Sequence, residues 1–119
     1  MKQPGPDHPI TISAHPGRVR VMLNGVAVAE SRNALSLTEA HYPPVLYIPR
    51  ADADLAHFKP SARSSHCPYK GDASYFDLVV AGVHRPNAVW SYEAPFPAVA
   101  GIAGHLAFYP DRVDAIETA

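Results

Sequence analysis

The sequence predicts a small, mainly β domain of compact antiparallel sheets, barrel-like or sandwich-like, with one or two short helices. Three observations lead to this. The 119-residue chain holds 13 Pro and 7 Gly, and Pro lacks the amide donor that a helix interior requires and clashes with the turn before it. Several short runs alternate polar and apolar residues with a period of two, as half-buried strands do. Strands and helices do not alternate in the way that marks a parallel sheet.

Ile10-Thr11-Ile12 reads as a first strand. Arg18-Val19-Arg20-Val21 alternates, Asn24-Gly25 interrupts, and Val26-Ala27-Val28-Ala29 resumes. Asn and Gly both tolerate positive φ, so this is a hairpin with a two-residue turn. Leu35 to Thr38 and Val45 to Ile48 are two more strands, divided by Tyr42-Pro43-Pro44; with the hairpin they suggest an antiparallel meander. Ala51 to His57 has the composition for about two helical turns, with Asp52 near the positive end of the dipole. Ser61 to Gly71 is punctuated by Ser, Pro and Gly and reads as a loop. It leads through Lys70-Gly71-Asp72 into a strand from Ala73 to Val80. Asn87 to Tyr92 is a further strand, Ala98 to about His105 a short helix, and Leu106 to Tyr109 with Arg112 to Ile116 close the sheet.

A chain of this length buries one core, so residues 1–119 are expected to form a single domain, with residues 1–9 as a flexible extension. Ten Lys and Arg against 11 Asp and Glu give a net charge of -1, without the basic excess that a nucleic-acid backbone demands. The apolar runs Leu78 to Val83 and Pro95 to Ile102 fall well short of the roughly 20 residues that span a bilayer. Cys67 is the single cysteine, which excludes an internal disulfide. No signal peptide is recognisable at the N-terminus, so a reducing, cytoplasmic setting is expected.

His66-Cys67-Pro68-Tyr69-Lys70-Gly71 is the densest group of reactive residue types. A neighbouring Lys or His⁺ favours the thiolate of a cysteine, the nucleophilic form, so Cys67 is a candidate nucleophile with Lys70 or His66 setting its protonation. The other reading of Cys67 is a buried, inert thiol. Lys70 and Arg50 are candidate contacts for a phosphate or carboxylate, whereas Arg18 and Arg20 read as charges guarding a strand edge. Glu39, at the end of an apolar strand, is the best candidate general acid or base. Tyr47, Tyr69, Tyr75, Phe76, Trp90 and Tyr92 concentrate aromatic rings in one stretch, which would suit a pocket for a small ligand. Neither an HExxH nor a CxxC spacing occurs, so no metal site is predicted, and no cofactor motif is present.

Arg18-Val19-Arg20-Val21, Val28-Ala29-Glu30-Ser31, Pro44 to Arg50 (PVLYIPR), Cys67 to Gly71 (CPYKG), Ala88-Val89-Trp90-Ser91-Tyr92 and Gly104 to Tyr109 (GHLAFY) resemble the successive blocks of the family called domain of unknown function 427. The resemblance runs from about Arg18 to Val113. It implies a tent-like fold in which antiparallel sheets meet at an angle. Related tent-like folds hold zinc on paired cysteines, which this chain lacks. A nucleotidyltransferase label has been attached to the family, but a Gly-Ser loop and paired acidic metal ligands are missing here. The positions carried over by motif are Glu39, Tyr47, Arg50, Asp52, Cys67, Lys70, Tyr75, Trp90 and Tyr92.

The expectation is a small-molecule binding domain, its pocket walled by Tyr47, Tyr75, Trp90 and Tyr92, with Arg50, Asp52, His66, Cys67 and Lys70 as polar contacts to an anionic ligand. The alternatives are a cysteine-dependent enzyme built on Cys67 and an interaction module that dimerises through an exposed strand edge.

Overall fold

In a computed structural model, which describes residues 1–119, the chain is mainly β and folds into three antiparallel sheets that do not close into a barrel. The Asn24-Gly25 hairpin forms as expected. It joins β2 (Val19–Leu23) to β3 (Val26–Ser31), and both turn residues have positive φ, 50° and 77°, the geometry whose twist matches that of paired strands.

The meander does not form. β1 (Ile10–Ala14) pairs with β4 (Leu35–Glu39), which pairs with β5 (Val45–Tyr47). The hairpin swings out of this sheet and is completed instead by the C-terminal β10 (Ala115–Thr118), which lies along β2. The third sheet contains β6 (Phe58–Cys67), β7 (Gly71–Val80), β8 (Val83–Tyr92) and the short β9 (Ala107–Phe108), in that order.

Two further expectations are corrected. Ser61 to Gly71 is not a loop, because its first seven residues belong to β6. This is an edge strand with mostly exposed side chains, so nothing forces apolar alternation onto it, and Pro60 is tolerated there for the same reason. Ala51 to His57 is not a helix. Two single 3-10 turns, Arg50–Asp52 and Leu55–His57, flank an extended Ala53. The backbone there joins the edge of β3, through a bridge from Ala53 to Ala29 and a hydrogen bond from Asp54 N to Val28 O of 2.9 Å. Asp52 caps no helix; its carboxylate accepts a 2.6 Å hydrogen bond from Ser31 Oγ. The predicted helix near Ala98 is a 3-10 segment, Pro97–Ile102, that buries Val99 and Ile102.

The interior is split into two apolar clusters. The larger holds 15 buried residues, among them Val19, Val21, Leu23, Val28, Ile48, Leu78, Val89 and Leu106. The smaller holds eight, including Leu37, Tyr47, Tyr75, Tyr92 and Ala107. Between them runs a wall made of β5, β9 and the end of β8. Side chains alternate across a strand, so in β5 and its continuation Leu46 and Ile48 serve the larger cluster while Val45 and Tyr47 serve the smaller. Val89 against Trp90, and Phe108 against Ala107, repeat the alternation. The wall is tied by Ile48 and Leu106, which exchange two backbone hydrogen bonds of 2.8 Å. Strands covered on both faces read as continuous apolar runs, which accounts for Val-Leu-Tyr-Ile.

β7 shows the same division along its length. Ala73 and Tyr75 are buried at one end and Leu78 and Val80 at the other, so opposite faces are covered at opposite ends. Leu78 is fully buried in the larger cluster. Leu78→Ala is expected to cost about 2–5 kcal/mol of unfolding free energy through lost transfer energy and a residual cavity, measured by urea denaturation; a loss below about 1 kcal/mol would show that the cluster closes over the gap.

Candidate functional site

On the smaller cluster's side of the wall, a pocket of about 220 Å³ is lined by Leu37, Glu39, Tyr42, Pro43, Val45, Tyr47, Lys70, Tyr75, Trp90, Tyr92 and Tyr109. Its aromatic side chains come from three strands and two loops. The Trp90 ring meets Tyr47 edge-on at 6.3 Å between centroids and lies 4.4 Å from Tyr109. Its Nε1–H donates to the Tyr47 hydroxyl at 3.3 Å. Such edge and tilted contacts add to area burial and fix ring orientation.

The polar end is the ion pair between Lys70 Nζ and the Glu39 carboxylate. Lys70 is 8% exposed, an unusual depth for a lysine, and it requires a partner. The tight turn after β6 delivers it: Lys70 N donates to Cys67 O, and Lys70 O accepts from Phe96 N at 2.9 Å. Gly71 follows at φ +113°, a conformation closed to most side chains. The ammonium also lies 6.0 Å from the Tyr92 ring centroid, within cation–π range. Glu39 Oε2 in turn holds His8 Nε2 at 2.7 Å, and the His8 ring stacks on Tyr69 at 3.8 Å. Residues before β1 thus lie against the site, and Lys2 N donates to Pro68 O at 2.7 Å.

Titration follows from these surroundings. Burial raises the Glu39 pKa, but hydrogen bonds from Lys70 and His8 outweigh it and hold the carboxyl below its ordinary value. Burial pushes the Tyr47 hydroxyl up to about 12 despite the Trp90 hydrogen bond, and burial likewise raises Tyr92. Tyr109 is pushed up to about 12 by burial and by the neighbouring Tyr75 hydroxyl. Tyr75 goes the other way. Burial raises it, yet hydrogen bonding to Ser65 and Tyr109 and the charge of Arg63 bring it below its usual value.

With this geometry in hand, comparison with protein families matches residues 11–119 to the model described as a domain of unknown function, DUF427. The chain belongs to the DUF427 family. Among curated proteins none matches it.

The structure of this DUF427 domain brings together six of the candidate residues, Glu39, Lys70, Tyr47, Tyr75, Trp90 and Tyr92. Four others lie outside the lining. Arg50, expected beside Lys70, instead clamps strand ends: Nε donates to Gly104 O at 3.1 Å, and Nη2 reaches Ser91 Oγ at 3.2 Å and Glu93 Oε1 at 2.6 Å. Asp52 is occupied by Ser31. His66 is exposed and pairs with Asp72 at 2.7 Å. Cys67 is half-buried and packs against the smaller cluster. Nowhere do three His, Cys, Asp or Glu side chains converge as a metal-binding group.

The DUF427 pocket also uses residues that the sequence did not single out. Tyr42 reads there as part of a breaker and Tyr109 as a closing strand, and His8 lies in the expected extension. A clue existed only for Tyr109, which ends the Gly-His-Leu-Ala-Phe-Tyr block.

Two outcomes are expected for this DUF427 domain. A carboxylate with a depressed folded pKa stabilises the protein above its unfolded value, here 4.5, and that contribution disappears as pH falls through the folded value. Glu39→Gln should therefore cost about 1.5–3 kcal/mol at pH 7, as for a lost charge-assisted hydrogen bond, and the gap to wild type should narrow below pH 4. Denaturant midpoints at pH 7 and pH 3 with an equal gap would contradict this. For Cys67, packing against the cluster predicts iodoacetamide alkylation that is slow in the native protein and fast in urea; rapid native alkylation would restore it as a candidate nucleophile.

Proposed function

We propose that the domain binds a small planar organic molecule, with a ring seated among Tyr42, Tyr47, Trp90, Tyr92 and Tyr109 and a polar edge read by Lys70 and Glu39. The observation that supports this reading most directly is the combination of a concave, aromatic-walled pocket with a single buried ion pair at one end. Ligand sites are commonly apolar hollows with a few fixed polar groups, and a fold gains little from a buried ion pair over apolar residues of the same volume.

Because Glu39 neutralises Lys70, the pair acts as a donor and an acceptor side by side, suited to a ring that carries both. Tyr42 is 57% exposed and stands at the rim, where it can pack on a bound ring at little cost to the free protein. Binding is the function proposed, and no reaction is assigned.

Trp90 is the only tryptophan and lines both this pocket and an apolar hollow beside Val19, Ile48 and Ile116, so its fluorescence reports binding and Tyr42, which lines this pocket alone, assigns it. Titration with phenol, benzamide and indole should change Trp90 emission saturably for at least one of them. Tyr42→Ala should weaken that binding about 2–10-fold, the loss of one aromatic contact, while Arg50→Ala, outside the pocket, should leave it unchanged. No saturable response to any of the three compounds would refute the proposal.

A further inference from the structure

Beside the aromatic pocket lies a second hollow of about 270 Å³, lined by Arg63, Asn87, Tyr109, Asp111 and Arg112. It differs in kind from the first, with a single apolar residue in its lining. The two hollows share Tyr109. Arg63 links them as well, because its guanidinium carbon lies 4.8 Å from the centroid of the Tyr75 ring, a wall of the aromatic pocket.

The backbone is irregular on both sides of this hollow. Pairing of β6 with β7 skips from Pro60 to Ser64, and Arg63 is carried in that bulge. In β8, Asn87 has φ 52° inside the strand, at the register shift opposite Asp77, whose carboxylate accepts its N–H at 2.8 Å. Bulges of this kind re-aim side chains and are concentrated near functional sites, and left-handed conformations inside a strand carry strain that the surrounding structure must hold. The Asn87 side-chain oxygen accepts from Ser61 Oγ, which turns its amide nitrogen to the other side.

Charge distinguishes the hollow further. Arg20 and Arg50 form carboxylate pairs, whereas Arg63 and Arg112, like Arg18, Arg32 and Arg85, do not; Arg63 and Arg112 differ from the other three in lining one hollow together. The one carboxylate in the lining, Asp111, makes no ion pair with either of them, although it offsets part of their charge. Arg112 directs one donor to Pro86 O at 3.0 Å and Arg63 lies over the Tyr75 ring with a hydrogen bond to its hydroxyl, so most of the donors on both guanidinium groups are left over. Two guanidinium forks facing one polar hollow leave paired N–H donors free, the arrangement that recognises carboxylate and phosphate oxygens.

We propose that Arg63 and Arg112, with the Asn87 amide, form an oxyanion subsite that holds the negatively charged group of the molecule whose ring occupies the aromatic pocket. The ligand class is thus a planar ring bearing a phosphate or carboxylate. The anionic character expected from the sequence is retained, but its contacts shift from Arg50 and Lys70, which are committed to Glu93 and Glu39. The part of this inference that concerns the ring rests on the proposed function; the oxyanion subsite stands without it.

The test is a titration of the full chain followed by amide NMR shifts and Trp90 fluorescence, at constant ionic strength, with sodium chloride as reference and inorganic phosphate, acetate, phenol and phenyl phosphate as probes. Phosphate or acetate should shift the amides around Arg63, Asn87 and Arg112 saturably, and the stronger of the two identifies the oxyanion. Arg63→Gln and Arg112→Gln should each weaken that binding at least fivefold, while Arg32→Gln, an exposed arginine elsewhere, should not. Phenyl phosphate should bind at least tenfold more tightly than inorganic phosphate and also perturb Trp90. Shifts no different from those in chloride, or insensitive to both arginine variants, would overturn the subsite. Phosphate binding that meets these criteria, with phenyl phosphate no tighter and phenol silent, would keep the subsite and remove the aromatic-pocket reading instead. Both arginines are exposed, so circular dichroism of the variants should match wild type.

Discussion

Everything in this molecule depends on a thin β wall that is apolar on both faces. β5, β9 and the end of β8 send successive side chains into two different clusters, and neither cluster could close without the wall's other face being covered. Burial at about 25 cal/mol per Å² of apolar surface is the main favourable term in folding, and a strand used on both faces contributes about twice what a half-exposed one does. That economy lets a chain of 119 residues sustain three small sheets in place of one large one. It also leaves hollows where the edges of the sheets meet.

The site is a by-product of the same geometry that has been given polar content. Where the smaller cluster runs out, the gap between β4, β5, β7 and β8 is lined mostly by aromatic rings beside Leu37 and Val45, and it is finished by Lys70 and Glu39. An ammonium at that depth is tolerable only because the carboxylate is held beside it, and the carboxylate stays ionised because His8 and Lys70 both donate to it. Arg50 does comparable work on the opposite side. It gathers Gly104 O, Ser91 and Glu93, so a residue that resembles a ligand contact in sequence is a fastener between strand ends.

Particular residues show why some features were legible and others not. The Asn24-Gly25 hairpin is a local property, since two adjacent positive-φ residues impose the turn whatever surrounds them. The run at β6 was opaque because an edge strand with exposed side chains has no apolar period to display. The helix expected at Ala51 fails because the backbone of Ala53 and Asp54 finds partners on β3, a competition that only the folded chain sets up. Among candidate residues, the aromatic ones converge, since large rings seek the interior. The charged ones divide between ion pairs whose partners are distant in sequence, such as Glu39 with Lys70 and Arg50 with Glu93.

By itself, the order of residues determined that the chain would be mainly β, where most strands would lie, and that an aromatic-rich stretch would be drawn together. These follow from period, turn chemistry and the preference of rings for burial, all of which act over a few neighbouring residues. Only the tertiary structure decided which strands share a sheet, that β10 completes the hairpin's sheet, and that Lys70 and not Arg50 faces the pocket. It also decided that Arg63, Arg112, Tyr42 and Tyr109 stand at its margins. Such choices depend on contacts between residues far apart in the sequence, as far as Thr118 and Val19, whose free energy no local pattern of residues records.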